Sequence, residues 1–124
     1  MSAHFSLTWL LALTLAAAIG TLARYAVGLL FERGFQATFP YATLTVNLCG
    51  SFLLGAVYGA WNADSLPAQT AYMALGAFTT FSTFNVEMLR LLQNGLRTRA
   101  MVYCLSSYGG GLLLAVCTYS LFVF

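Results

Sequence analysis

Gly76-Ala77-Phe78-Thr79-Thr80-Phe81-Ser82-Thr83-Phe84-Asn85 lies inside an apolar segment long enough to cross a bilayer, yet five of its ten residues carry a hydroxyl or an amide. Hydrocarbon cannot satisfy such groups, so at membrane depth they must face protein or water. The phenylalanines recur every three residues, which sets Phe81 and Phe84 near one helical face, close to the hydroxyls. Gly76 followed by hydroxyl residues at mid-membrane is also how a discontinuous helix reads. There, an unwound turn exposes carbonyls that can bind a cation. From the pattern alone, a break and a continuous helix with a polar face stand equally open.

The surrounding composition fixes the solvent. The 124 residues are 60% hydrophobic and only 6% charged, with a mean hydropathy of +0.83. A soluble domain is about a quarter charged and could not hide so much apolar surface at this size. The sequence therefore reads as an integral membrane protein. All basic residues are arginine (Arg24, Arg33, Arg90, Arg97, Arg99), and the acids are Glu32, Asp64 and Glu87. A net charge of +2 spread this thinly makes no nucleic-acid surface. Cys49, Cys104 and Cys117 fall in apolar segments without a CxxC or a Cys/His cluster, and read as small packing residues. His4, near the N-terminus, has no ligand partner at metal spacing.

Four segments meet the roughly 20-residue requirement for a spanning helix. They run from about Ser6 to Phe31, Tyr41 to Asn62, Pro67 to Leu92, and Arg99 to Phe124, with short linkers and no room for a soluble domain. Residues 1–124 thus read as one all-α transmembrane unit. The first segment lacks a basic n-region and outruns a signal-peptide core, so it is expected to be a true helix. Arg24, one turn inside its end, is expected to snorkel or to pair with an acid. Gly20 offers a small surface for close helix contact. In the second segment Thr43, Asn47 and Ser51 form a stripe at spacing four, and Gly55 and Gly59 a GxxxG. Pro67 suits a helix start, and Glu87 and Arg90 are spaced to pair. In the fourth, Tyr103, Ser107 and Gly111 repeat the spacing of four beside a run of glycines.

These stripes are neutral donors and acceptors. No carboxylate pair, His/Cys nucleophile or phosphate loop is present, so catalysis has little to work with and no enzyme is expected. A lining of Asn, Ser, Thr and Tyr donors with aromatic ring edges suits a small hydrogen-bond-accepting anion. Ring edges carry partial positive charge, and such sites are weak enough to release the ion. The stripes fit interhelical glue as well, and the pattern leaves both readings open. Four helices hardly enclose a conduit alone, so an oligomer is expected. The arginines gather on one side of the four-span topology. The positive-inside rule places that side in the cytoplasm and both termini outside.

Three stretches resemble the Fluc/CrcB fluoride channels. Gly20-Thr21-Leu22-Ala23-Arg24-Tyr25 is similar to that family's G-x-x-x-R-[WY] element. Thr43-Leu44-Thr45-Val46-Asn47-Leu48, followed by Gly50, resembles its G-T-L-x-x-N-L-x-G. Gly76 to Phe84 with Glu87 resembles its G-G-[LF]-[ST]-T-F-S-T-F-x-x-E. The resemblance runs through nearly the whole chain. It implies a passive fluoride exporter in a prokaryotic inner or plasma membrane. The architecture it implies is four transmembrane helices with a broken third, paired as an antiparallel, dual-topology dimer with two pores. Fluoride would pass Asn47, Phe81, Ser82, Thr83, Phe84, Tyr103 and Ser107. The Gly76 and Thr79 carbonyls of both subunits would hold a structural Na+ at the dimer centre. Arg24 and Glu87 would be the family's motif arginine and acid. Ala42 and Ala77 stand where the family usually has Gly, and Gly111 where some members carry a polar-track serine. The arginine bias fits a fixed orientation and so a heterodimer with an oppositely oriented paralogue; a homodimer remains the first expectation. A small-multidrug-resistance-like four-helix transporter is the rival, and would need Glu87 as its coupling carboxylate. A purely structural subunit is a further rival.

Overall fold

The computed structural model describes residues 6–34 and 39–124, with backbone alone for 32–34. His4, the side chains of Glu32 and Arg33, and residues 35–38 of the first linker lie outside the described residues. The described chain is helical throughout, with no strand.

Helix α1 spans Leu7–Gly34 and α2 spans Tyr41–Ala60. At 1.5 Å per residue each reaches about 30 Å or more, enough for the hydrocarbon core. The third span is two shorter helices, α3 (Leu66–Phe78) and α4 (Ser82–Gln93). Neither is long enough to cross alone. The fourth span is continuous from Arg97 to Val123. It is α5 (Arg97–Leu105), a π-helical turn (Ser106–Gly110) and α6 (Gly111–Val123). Among the described residues, three helices are therefore long and apolar enough to span a membrane, and the third segment is the broken one.

Local chemistry sets these boundaries. The Ser65 hydroxyl accepts from Ala68 N–H at 3.3 Å and caps α3, with Pro67 in its first turn, where a missing N–H costs nothing. At the other end of α4, Leu96 N–H bonds Leu91 O at 2.9 Å and Gly95 N–H bonds Leu92 O at 3.1 Å. This is a Schellman turn, and it requires the left-handed backbone that Gly95 adopts at φ 74°.

Small residues bring the helices together. A Cβ on Gly20 would run into the Ala74 carbonyl, which shows how closely α1 crosses α3. A Cβ on Gly55 would meet the Ala115 carbonyl and the Thr118 hydroxyl, and one on Gly59 would sit 2.7 Å from Phe122 Cβ. The GxxxG of α2 is thus the face that seats α6. The Thr118 hydroxyl lies 2.9 Å from Phe52 O and 2.8 Å from Leu114 O, and can bond across to α2 or back along its own helix. Phe84, Leu91, Ala100 and Tyr103 form a small buried cluster between α4 and α5. Large apolar side chains cover much of the remaining surface, as lipid contact requires.

Candidate functional site

The site grows from the interruption between α3 and α4. Helix α3 holds through Phe78, so Gly76 is still helical and the opening lies at Thr79–Phe81. The Gly76 that flagged a discontinuous helix in the sequence is therefore not itself unwound. No left-handed residue is needed: Thr79 is extended (φ −77°, ψ 164°), and Phe81 is already near the helical region. What ends α3 is a competitor for its backbone. Thr80 N–H, which would close the helical bond to Gly76 O, donates to Asn47 Oδ1 at 2.8 Å. Asn47 Nδ2 donates in return to Thr80 O at 3.0 Å. One amide side chain on α2 therefore satisfies both polar groups of the broken residue. The Thr80 hydroxyl then accepts from Thr83 N–H at 3.3 Å and starts α4.

Gly76 O and Thr79 O are among the carbonyls that the break leaves without a helical partner. Gly76 O keeps only a long contact of 3.4 Å from the Thr79 hydroxyl. Thr79 O accepts from Arg24 Nη1 at 3.5 Å, at the limit of a hydrogen bond. Gly76 is exposed, with nothing within 4 Å of where a Cβ would stand.

Among the described residues Arg24 pairs with no acid; its hydrogen bond goes to the break. Nor does Glu87 spend its oxygens on Arg90. Glu87 Oε1 accepts from the Thr43 hydroxyl at 2.9 Å, and Oε2 from the Tyr103 hydroxyl at 2.8 Å. Both are short hydroxyl-to-carboxyl hydrogen bonds from other helices. They tie α2, α4 and α5 together around a single carboxylate. Arg24 and Glu87 share the wall of a first cavity of about 510 Å³, with Thr43, Thr80 and Thr83.

A second cavity of about 360 Å³ opens on the other side of Thr80, which lines both. Asn47, Phe81, Phe84 and Ser107 meet here, with Gly76 and Thr79. None of its lining residues is charged. Two hydroxyls, Ser107 Oγ and Tyr72 Oη, are buried without a hydrogen-bond partner among the described residues. The rings of Phe81 and Phe84 stack with centroids 6.5 Å apart. Phe81 is 65% exposed, whereas Phe84 is held edge-on by Tyr108 at 5.4 Å and against Tyr103 at 4.8 Å.

Of the residues singled out in the sequence, the second cavity thus gathers Asn47, Phe81, Phe84 and Ser107, and the first gathers Thr83, Arg24 and Glu87. Ser82 is exposed and lines neither. Tyr103 is fully buried, its proton committed to Glu87. Sequence reasoning missed Thr80 as the shared wall and Tyr72 as a lining phenol. The available signal for Tyr72 was its spacing from Gly76 and Thr79, which puts it on their face of α3. Gly111 packs on α2, where Ser51 Oγ sits 3.0 Å from the place of a residue-111 Cβ.

Spanning helices, one of them broken where weakly bonded carbonyls and neutral donors line a cavity, define a multi-pass membrane protein. Residues 11–119 match the family model for CrcB-like protein, Camphor Resistance (CrcB), and the chain belongs to that family. It is 39% identical over 115 residues to a fluoride-specific ion channel FluC of Thermus thermophilus, covering 90% of this chain and 92% of that one. It is 40% identical over 100 residues to a fluoride-specific ion channel FluC of Shewanella frigidimarina (77% and 81% covered). It is 38% identical over 100 residues to fluoride-specific ion channel FluC 2 of Lactobacillus johnsonii (81% and 84% covered). These relatives are named as channels, not enzymes.

Proposed function

We propose that this chain is the subunit of a fluoride-selective channel that lets the anion leave a prokaryotic cytoplasm down its electrochemical gradient. The observation that carries the reading is the second cavity, which offers hydrogen-bond donors and no charge. Ser107 holds an unspent proton there. Asn47 uses one amide hydrogen on Thr80 and retains another. Phe81 adds a ring whose edge is weakly positive. A small anion is attracted by such groups, and no fixed cation holds it back. The names of the relatives supply the ion.

What one chain leaves open supports a finer assembly. Phe81 and the Gly76 face are exposed on the single chain. A second, antiparallel copy would cover them and close two pores at the interface. The Gly76 and Thr79 carbonyls of both copies fit a structural Na+ at the centre, since the break frees the first from its helical bond and leaves the second only a long one. Such an ion supplies positive charge that holds the four carbonyls together. An oppositely oriented paralogue is the alternative partner. The small-multidrug-resistance reading loses its coupling group, because Glu87 is anchored by two hydroxyls.

The test is fluoride-electrode efflux from liposomes containing this chain alone. Fluoride efflux without chloride efflux is the expected result. Equal efflux of both anions overturns the selectivity, and no efflux overturns a self-sufficient channel.

A further inference from the structure

Tyr72 lies on α3 about two turns before the break, on the face that also carries Leu75, Gly76 and Thr79. Its ring packs on Tyr58 of α2, centroids 5.1 Å apart and planes 30° from parallel. A phenylalanine would make that contact equally well, so the stacking does not account for the hydroxyl. Tyr72 lines the second cavity, and its hydroxyl is buried and has no partner among the described residues. A buried donor left unpaired is costly, and such groups mark places where something outside the chain completes the bond.

Helix α2 serves as a ruler along the cavity. Asn47 meets Thr80, Ser51 meets Gly111 one turn on, and Tyr58 meets Tyr72 about two turns beyond that. At the middle level no proton is free. Gly111 has no side chain, and Ser51 donates its own proton to Asn47 O at 2.8 Å. Past Ser107, the buried proton still available toward the Leu54 and Tyr58 end is that of Tyr72.

We propose that the Tyr72 hydroxyl is a hydrogen-bond donor to the permeating anion, supplying the step beyond Ser107 that glycine at position 111 leaves without a side chain. The inference rests on the channel reading above and adds a residue to it. The ligand is a small monovalent anion that accepts hydrogen bonds, met by a neutral phenol whose orientation the Tyr58 ring fixes.

Tyr72→Phe removes the hydroxyl and keeps the ring pair. In fluoride-loaded liposomes this variant is expected to release fluoride about tenfold more slowly, the scale of one lost hydrogen bond to an ion. Tyr58→Phe is the control and is expected to keep the wild-type rate. The thermal midpoint of Tyr72→Phe in detergent is expected to equal or exceed that of the wild type, because an unpaired buried group has been removed. Wild-type flux in Tyr72→Phe overturns this proposal and leaves the channel reading standing. Slower flux with a lowered midpoint, or equal loss in Tyr58→Phe, assigns the hydroxyl a packing role and overturns it too. Absence of flux from the wild type overturns the channel reading itself, and this inference with it.

Discussion

Asn47 brackets the backbone of Thr80, its Oδ1 2.8 Å from the Thr80 nitrogen and its Nδ2 3.0 Å from the Thr80 oxygen. A side-chain amide has here replaced the two neighbours a helical residue would have had. The cost of opening a helix in lipid is a set of unsatisfied polar groups, and this clasp satisfies two of them, the Thr80 N–H and carbonyl. The same residue holds the break open and lines the second cavity.

Asn47→Asp tests both duties. The aspartate keeps an acceptor for Thr80 N–H but cannot donate to Thr80 O, and it brings a negative charge to the cavity. Fluoride efflux is expected to be abolished. Stability is expected to fall by about 1–3 kcal/mol, the cost of one buried carbonyl left unpaired. Efflux and thermal unfolding in detergent read the two effects separately. Wild-type behaviour in both would remove Asn47 from the mechanism.

Glu87 is the hub of the second polar knot. Tyr103→Phe and Thr43→Val each take one donor from the carboxylate, and each is expected to cost about 1–3 kcal/mol. The two losses share one carboxylate, so they are not expected to add. A double-mutant cycle on unfolding free energy measures the coupling. Additive values would mean the two hydroxyls act independently. Arg90→Gln, by contrast, is expected to leave stability within about 0.5 kcal/mol, since Arg90 is exposed and does not hold the acid.

Much of this was legible from residue type and spacing. The run from Gly76 to Asn85 marked a polar stretch that a break or a polar-faced helix would equally explain, the Thr43/Asn47/Ser51 stripe marked a polar face, and Gly55/Gly59 offered the small surface of a GxxxG. Periodicity shows which residues share a face; it does not show which face meets which. The partner of Thr80 lies 33 residues earlier in the chain, and the partners of Glu87 lie 44 residues before and 16 after. Arg90 was the nearer choice for Glu87 on sequence, yet two hydroxyls from other helices reach the carboxylate instead. The π turn at Ser106–Gly110 was not legible either. Its glycines hinted at close approach, and Gly110 does sit against Leu48, but they carry no signal for an altered helical repeat.

The glycines separate packing from conformation. Gly55→Ala drives a methyl into the Ala115 carbonyl and the Thr118 hydroxyl. Backbone cannot yield cheaply, so about 1–3 kcal/mol of destabilisation is expected. Gly95→Ala meets open space but must hold a positive φ, and about 1 kcal/mol is expected from strain alone. Detergent melts of the two variants against the wild type check the order. A Gly55→Ala protein as stable as the wild type would mean that α2 and α6 are not packed this closely.

Orientation in the membrane is the last prediction. An antiparallel homodimer needs half the chains inserted each way, so the Asp64 turn and the Gln93 end of α4 must each face both sides of the membrane. Both residues are exposed at the ends of helices, where a cysteine is accessible without disturbing the core. Asp64→Cys and Gln93→Cys, each in a background with Cys49, Cys104 and Cys117 replaced, are to be labelled on intact cells with a membrane-impermeant thiol reagent. About half of each population is expected to react from outside, and the rest only after lysis. Against this works the arginine asymmetry, with Arg90, Arg97 and Arg99 all on the Gln93 side. If that bias dominates, Asp64→Cys reacts completely from outside and Gln93→Cys not at all. That outcome rules out the homodimer, and the second half of the pore must then come from a chain of opposite orientation.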